Sequence, residues 1–213
     1  VLVYTTSAPP RLRYIFELIL TELVGVEYEF THDADKFTFH TGPKLNYSEK
    51  QFGDELFFFS TQLLFEKKIR QQDLSVLDWM DTKAFFATHP KYVLPFDPFA
   101  ASFYMVSRYE EHLPFIKDKH DRFEAAQSLA FQKGFLHKPI VNIYAKKIRE
   151  ILAEAFPELQ FKDKKYEYVS TIDIDNAWAF KEKGFLRTTG ALLRSLSRFD
   201  FHSIVERVSV LVN

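Results

Sequence analysis

Near the end of the 213-residue chain, the run Thr171-Ile172-Asp173-Ile174-Asp175-Asn176 sets two carboxylic acids one residue apart among apolar neighbours. Side chains two positions apart on a β-strand share a side, so Thr171, Asp173 and Asp175 would line one face and Ile172 and Ile174 the other. Carboxylates held that close raise each other's cost of ionisation unless a cation or hydrogen-bond donors offset the charge. A divalent metal does so directly. One carboxylate binds it, and the other is left to orient or deprotonate a water whose acidity the ion has increased. The same spacing also suits a solvated strand end at which Asp175-Asn176 opens a turn.

The residues that must hold this pair read as a strand over 166–175, rich in Tyr, Val, Thr and Ile. A charged connector, Gln160-Phe161-Lys162-Asp163-Lys164-Lys165, precedes it and marks a boundary, giving one domain over 1–165 and a second over 166–213. In the first domain, residues 1–5 form a β-branched and aromatic run that stops at Ser7-Ala8-Pro9-Pro10. Leu12, Ile15, Phe16, Ile19, Leu20 and Leu23 then recur at helical spacing. Residues 26–31 and 37–40 alternate like strands, and Leu56-Phe57-Phe58-Phe59 reads as a buried one. Asp97 caps a helix with Pro98 at its first position, running to Pro114. Further helices are predicted over 121–132 and 139–156, the second with Ile140, Ile143, Tyr144, Ile148, Ile151 and Leu152 on one stripe. Strands interleaved with helices predict an α/β fold, with a connection between 1–5 and 26–31 long enough for a parallel pair.

Composition narrows the chemistry. The 28 Lys and Arg against 29 Asp and Glu leave a net charge of -1, which argues against a protein that grips phosphate backbones, so no nucleic-acid partner is expected. With no cysteine, any metal must sit on Asp, Glu or His. No apolar run approaches the roughly 20 residues of a membrane-spanning helix, and no export signal is visible at the start, so a cytoplasmic location is expected. The 24 Phe and 10 Tyr predict an aromatic interior.

The stretch 168–176 resembles the first motif of the carbohydrate esterase family 4, or NodB-homology, polysaccharide deacetylases, in the variant whose paired Asp residues are one residue apart. Upstream, 97–111, including Asp97-Pro98-Phe99 and Arg108-Tyr109-Glu110-Glu111, and 134–142, including Gly134-Phe135-Leu136-His137-Lys138-Pro139, are similar to an accessory domain that precedes the catalytic domain in some bacterial deacetylases. The resemblance covers most of the chain. It implies an N-terminal α/β domain followed by the first elements of an incomplete (β/α) barrel, and hydrolysis of acetyl groups from a saccharide. It also implies that Asp173 is the general base and that Asp175 binds a divalent metal, Zn or similar, beside two imidazoles from a His-x3-His motif. None of the seven histidines stands four residues from another, so this chain lacks that pair. A barrel cut short after its opening elements, and inactive alone, is the expectation.

Other clusters are weaker. Trp178, Phe180, Lys181 and Lys183 could rim a saccharide site or fold back as loop aromatics. The amphipathic run 185–199 with Arg187, Arg194 and Arg198 suits a solvated helix face. Glu110 and Glu111 diverge on a helix, and Asp118, His120 and Asp121 match no standard ligand spacing. Two alternatives to the hydrolase stand beside it: a non-catalytic interaction or carbohydrate-binding module, and a glycosyltransferase whose Asp-x-Asp positions a cation against a nucleotide sugar.

Overall fold

The computed structural model describes residues 1–163, 165–173, 185–197 and 200–212. It divides into two compact units, Val1–Lys164 and Lys165–Asn213. The first is an α/β unit built on a fully parallel four-stranded sheet, in the order β2-β1-β3-β4, from β1 (Leu2–Tyr4), β2 (Glu29–Thr31), β3 (Lys44–Ser48) and β4 (Leu56–Phe59). The predicted parallel pairing of the first two strands is present. Between them, helix α1 (Pro10–Phe16) passes without a break into a π-helical stretch over Glu17–Val24. Gly25 closes that stretch in the left-handed region, at φ 86°.

Residues 37–40 are not a strand. Residues 37–39 belong to helix α2 (Ala34–Phe39), with His40 its extended C-cap, because the Asp33 carboxylate accepts from the Asp35 and Lys36 N–H groups at 2.9 and 3.0 Å and so starts a helix where alternation alone suggested a strand. A small antiparallel pair follows, β5 (Leu77–Trp79) with β6 (Thr82–Ala84). Helix α3 (Pro98–Val106) starts where predicted, with Asp97 as its cap. It stops short of Pro114 because Arg108 takes a left-handed conformation, φ 51°, after which Tyr109–His112 form a single 3-10 turn. The helix expected over 121–132 is also broken. Asp121 sits at φ 61°, Ala125–Gln127 form a 3-10 turn, and α4 (Leu129–Gln132) restarts on the Ser128 hydroxyl. Helix α5 (Ile140–Ala155) carries the predicted stripe, with Ile140, Tyr144, Ile148, Ile151 and Leu152 all buried.

The core is aromatic. Phe16 of α1 stacks on Phe99 of α3 with ring centroids 4.1 Å apart, and Tyr47 of β3 and Phe58 of β4 meet Phe99 edge-on at 5.2 and 5.8 Å. Full burial of each such side chain stabilises the fold by roughly 1.5–3 kcal/mol.

In the second unit, α6 (Phe185–Ser197) packs on α7 (Phe201–Val212). The strand expected over 166–175 is not formed in its described part, 166–173. A strand needs a hydrogen-bonded neighbour and a covering layer. Among the described residues nothing pairs with this segment, and Tyr166 and Ile172 stay 91% and 81% exposed. No helix of the described residues is long and apolar enough to cross a membrane.

Candidate functional site

The register of the sheet sorts its side chains into two unlike faces. Tyr4 lies opposite Asn46, and Asn46 opposite Phe57. One face therefore carries Val3, Leu45, Tyr47 and Phe58, all buried within the α1 and α3 core. The other carries Leu2, Tyr4, Lys44, Asn46, Ser48, Phe57 and Phe59. This second face mixes polar and aromatic side chains with one aliphatic, its Leu2, Asn46, Ser48 and Phe57 are buried, and no long helix covers it.

What crosses it instead is the connection 49–55, whose seven residues join two parallel strands that normally need a dozen or more. Polar groups of β3 pin it down. The Asn46 amide donates to the Lys50 carbonyl and to Glu55 Oε1, both at 2.8 Å, and the Ser48 hydroxyl donates to Asn46 Oδ1 at 2.6 Å. Glu55 also accepts the N–H groups of Phe52 and Gly53, each at 2.7 Å. Partial burial pushes the Glu55 carboxyl up, but these donors outweigh it and hold the group below the usual range. The loop thus presents Phe52, 38% exposed, with its ring edge-on to Tyr4 at 4.8 Å.

Beside the loop opens a cavity of about 690 Å³ lined by Phe37, His40, Phe52, Phe57, Lys91 and Tyr92, among others. Its aromatic wall is braced from behind, since Tyr92 stacks on Phe59 at 5.5 Å with planes 6° apart and meets Phe57 edge-on at 5.2 Å. Lys44 is committed: its ammonium donates to the Phe37 and Thr38 carbonyls at 3.1 and 2.8 Å, closing the end of α2, and lies 5.2 Å from the Phe37 ring centre. Gly42 makes room for the His40 imidazole, for a Cβ there would sit 2.8 Å from Nε2. Flat apolar surfaces alternate with donors and acceptors along this wall, an arrangement suited to holding a ligand.

The residues singled out by sequence fall elsewhere. Asp173 is exposed, whereas Asp175 lies outside the described residues, as do Trp178, Phe180, Lys181 and Lys183. Among the described residues no three His, Asp or Glu side chains are grouped where they could share a cation. The described residues alone therefore do not compose the metal site that the resemblance implies. Glu110 accepts the Leu129 N–H at 2.8 Å, and burial raises its carboxyl above the usual range. Glu111 forms a two-point pair with Arg108, both contacts 2.6 Å. Asp118 organises a turn, accepting the His120 and Arg122 N–H groups at 2.7 and 2.9 Å. Sequence reasoning passed over the groove, although Lys44-Leu45-Asn46-Tyr47-Ser48 alternates polar and apolar residues with period two and could have revealed a strand with one polar face.

A model of a family of unknown function, DUF7033, matches residues 1–157. No curated protein and no solved structure matches the chain.

Proposed function

We propose that this chain, which belongs to the family of unknown function DUF7033, contributes a saccharide-binding unit, Val1–Lys164, to a metal-dependent deacetylase-like hydrolase. The observation that carries the binding role is the open groove between α2, the 49–55 connection and Tyr92. A pyranose ring offers an apolar C–H face flanked by hydroxyls. Tyr92 and Phe52 offer apolar faces, and His40, Lys91 and the Gln51 amide offer polar groups beside them.

The catalytic part of the reading is supported by the resemblance of the Asp173-x-Asp175 motif and of the stretches 97–111 and 134–142 to deacetylases. Under it, 166–213 opens an irregular (β/α) barrel, Asp173 is the general base and Asp175 a ligand for a divalent cation such as Zn²⁺. The histidine ligands are not among the seven of this sequence, none of which is four residues from another. The chain alone is therefore expected to deacetylate nothing, since one carboxylate holds a cation too weakly.

Calorimetric titration of the whole chain with N-acetylglucosamine, glucose and xylose oligomers tests the binding role. Saturable binding of at least one series is expected, weakened about tenfold by Tyr92→Ala, a loss of about 1.4 kcal/mol. Absence of heat with every series would refute it.

A further inference from the structure

A second cavity, of about 530 Å³, opens at the carboxyl ends of β1, β3 and β4, bordered by Thr6, Ser7, Ser48, Ser60 and Gln62, and Phe52 is a wall of both cavities. Its position has meaning of its own. From β1 the chain passes to β2 on one side and later to β3 on the other, so the gap between β1 and β3 is where the strand order reverses. In open parallel sheets the crevice outside the carboxyl ends at such a point is where ligands bind. The lining is hydroxyl-rich, and the Gln62 amide donates to the Glu49 carboxylate beside it.

Lys44, the first residue of β3, borders the first cavity, and Ser48, the last, borders the second. Four strand steps separate them, about 13 Å, more than one sugar ring can span. Between them stands Phe52, fixed in place by the bonds its loop makes with Asn46 and Glu55. From this we infer that the two cavities are one track, and that the ligand is a linear oligosaccharide lying across Phe52 with rings in both. The inference rests on the saccharide-binding reading and adds to it the length and direction of the chain.

The test is titration of the whole chain with N-acetylglucosamine oligomers of two and six rings, or with the glucose or xylose series if only that one binds. The hexamer is expected to bind about tenfold or more tightly than the dimer. Phe52→Leu, which keeps an apolar contact with Tyr4 but loses the ring, is expected to remove most of that advantage. Gln62→Ala, an exposed change at the second cavity, is expected to weaken the hexamer alone, and it decides the matter should Phe52→Leu fail to fold. Equal affinity for dimer and hexamer, or a hexamer indifferent to Gln62→Ala, would overturn the track while leaving saccharide binding intact. Failure of every oligomer to bind would overturn both.

Discussion

Asp97 is wholly buried and takes five donors, so its removal is a sharp test of what ties the sheet to the helices. Its Oδ2 accepts the Tyr47 hydroxyl, the Thr61 N–H and the Thr61 hydroxyl, each at 2.8 Å, and its Oδ1 accepts the Phe99 and Ala100 N–H groups at 3.1 and 3.0 Å. One side chain thus caps α3, holds the loop after β4 and satisfies a fully buried tyrosine of β3. Asp97→Ala deletes the cap, worth about 1 kcal/mol, and strands the Tyr47 and Thr61 donors, each at a cost of about 1–3 kcal/mol where water cannot reach. A loss near 4 kcal/mol is expected. With a urea dependence of about 2 kcal/mol per molar, the midpoint should fall by about 2 M. The near-ultraviolet signal of the surrounding rings is the readout, because Tyr47 packs on Phe16 and Phe99. The pairing itself is tested by the double variant Tyr47→Phe/Asp97→Ala, in which no tyrosine hydroxyl is left without a partner. It should be more stable than the sum of the single losses predicts, by about 1 kcal/mol or more. Strict additivity, or a loss under about 1 kcal/mol for Asp97→Ala, would refute the assignment. The carboxyl is also pH-sensitive: burial pushes it up against the pull of its donors, to a net value above the usual one. In the window between the ordinary and raised values, the folded state holds a proton that the unfolded state has lost. Stability should therefore decline as pH rises through that window, a slope that Asp97→Asn removes.

Glu55 should behave in the opposite sense. Its folded-state carboxyl titrates below its ordinary value of 4.5, so the stability it contributes is present above that value and lost as pH falls through the lowered one; urea midpoints measured from pH 7 downward should show the cost of Glu55→Gln shrinking once the pH drops below 4.5. At Gly25, φ is 86° and an added Cβ would lie 2.5 Å from the Lys162 carbonyl oxygen, a backbone atom tied in turn by the Lys162 N–H bond to the Gly25 carbonyl at 2.8 Å. Gly25→Ala is accordingly expected to cost about 2 kcal/mol or more, and a thermal melt unchanged within a degree would contradict the close approach.

Much of the first unit could be read from the chain because local chemistry and tertiary packing agree there. The β1 run, the Asp97-Pro98 helix start and the α5 stripe each combine a cap or breaker with a clean period. Where they disagree, the reading failed for identifiable reasons. The apolar spacing of 12–23 predicts a helix but does not distinguish an α-helix from the π-helical winding at Glu17–Val24. At 37–40 the pattern of alternation competed with a side-chain cap four residues upstream, and the cap won. The groove was hidden for a different reason: its walls come from α2, β4, the 49–55 connection and the segment at Tyr92, which only the fold brings together. The Asp173 and Asp175 pair was legible as a motif, but no strand forms over the described residues leading to it.

The groove follows from a connection too short to hold a helix. Parallel sheets ordinarily bury both faces because each crossover lays a helix on the sheet, and their strands are then apolar throughout. Here the α1 crossover and α3 cover one face, and Leu45, Tyr47 and Phe58 are buried accordingly. Seven residues between β3 and β4 leave no room for a second helix, so the opposite face receives only α2, a pinned loop and the braced ring of Tyr92. Lys44, Asn46 and Ser48 can stay polar there because each finds partners in the backbone or side chains that cross the face, rather than in an apolar layer. A longer insertion at 49–55 that supplied a helix would fill the space of both cavities, so the length of this connection determines whether the sheet keeps a face on which a ligand can lie.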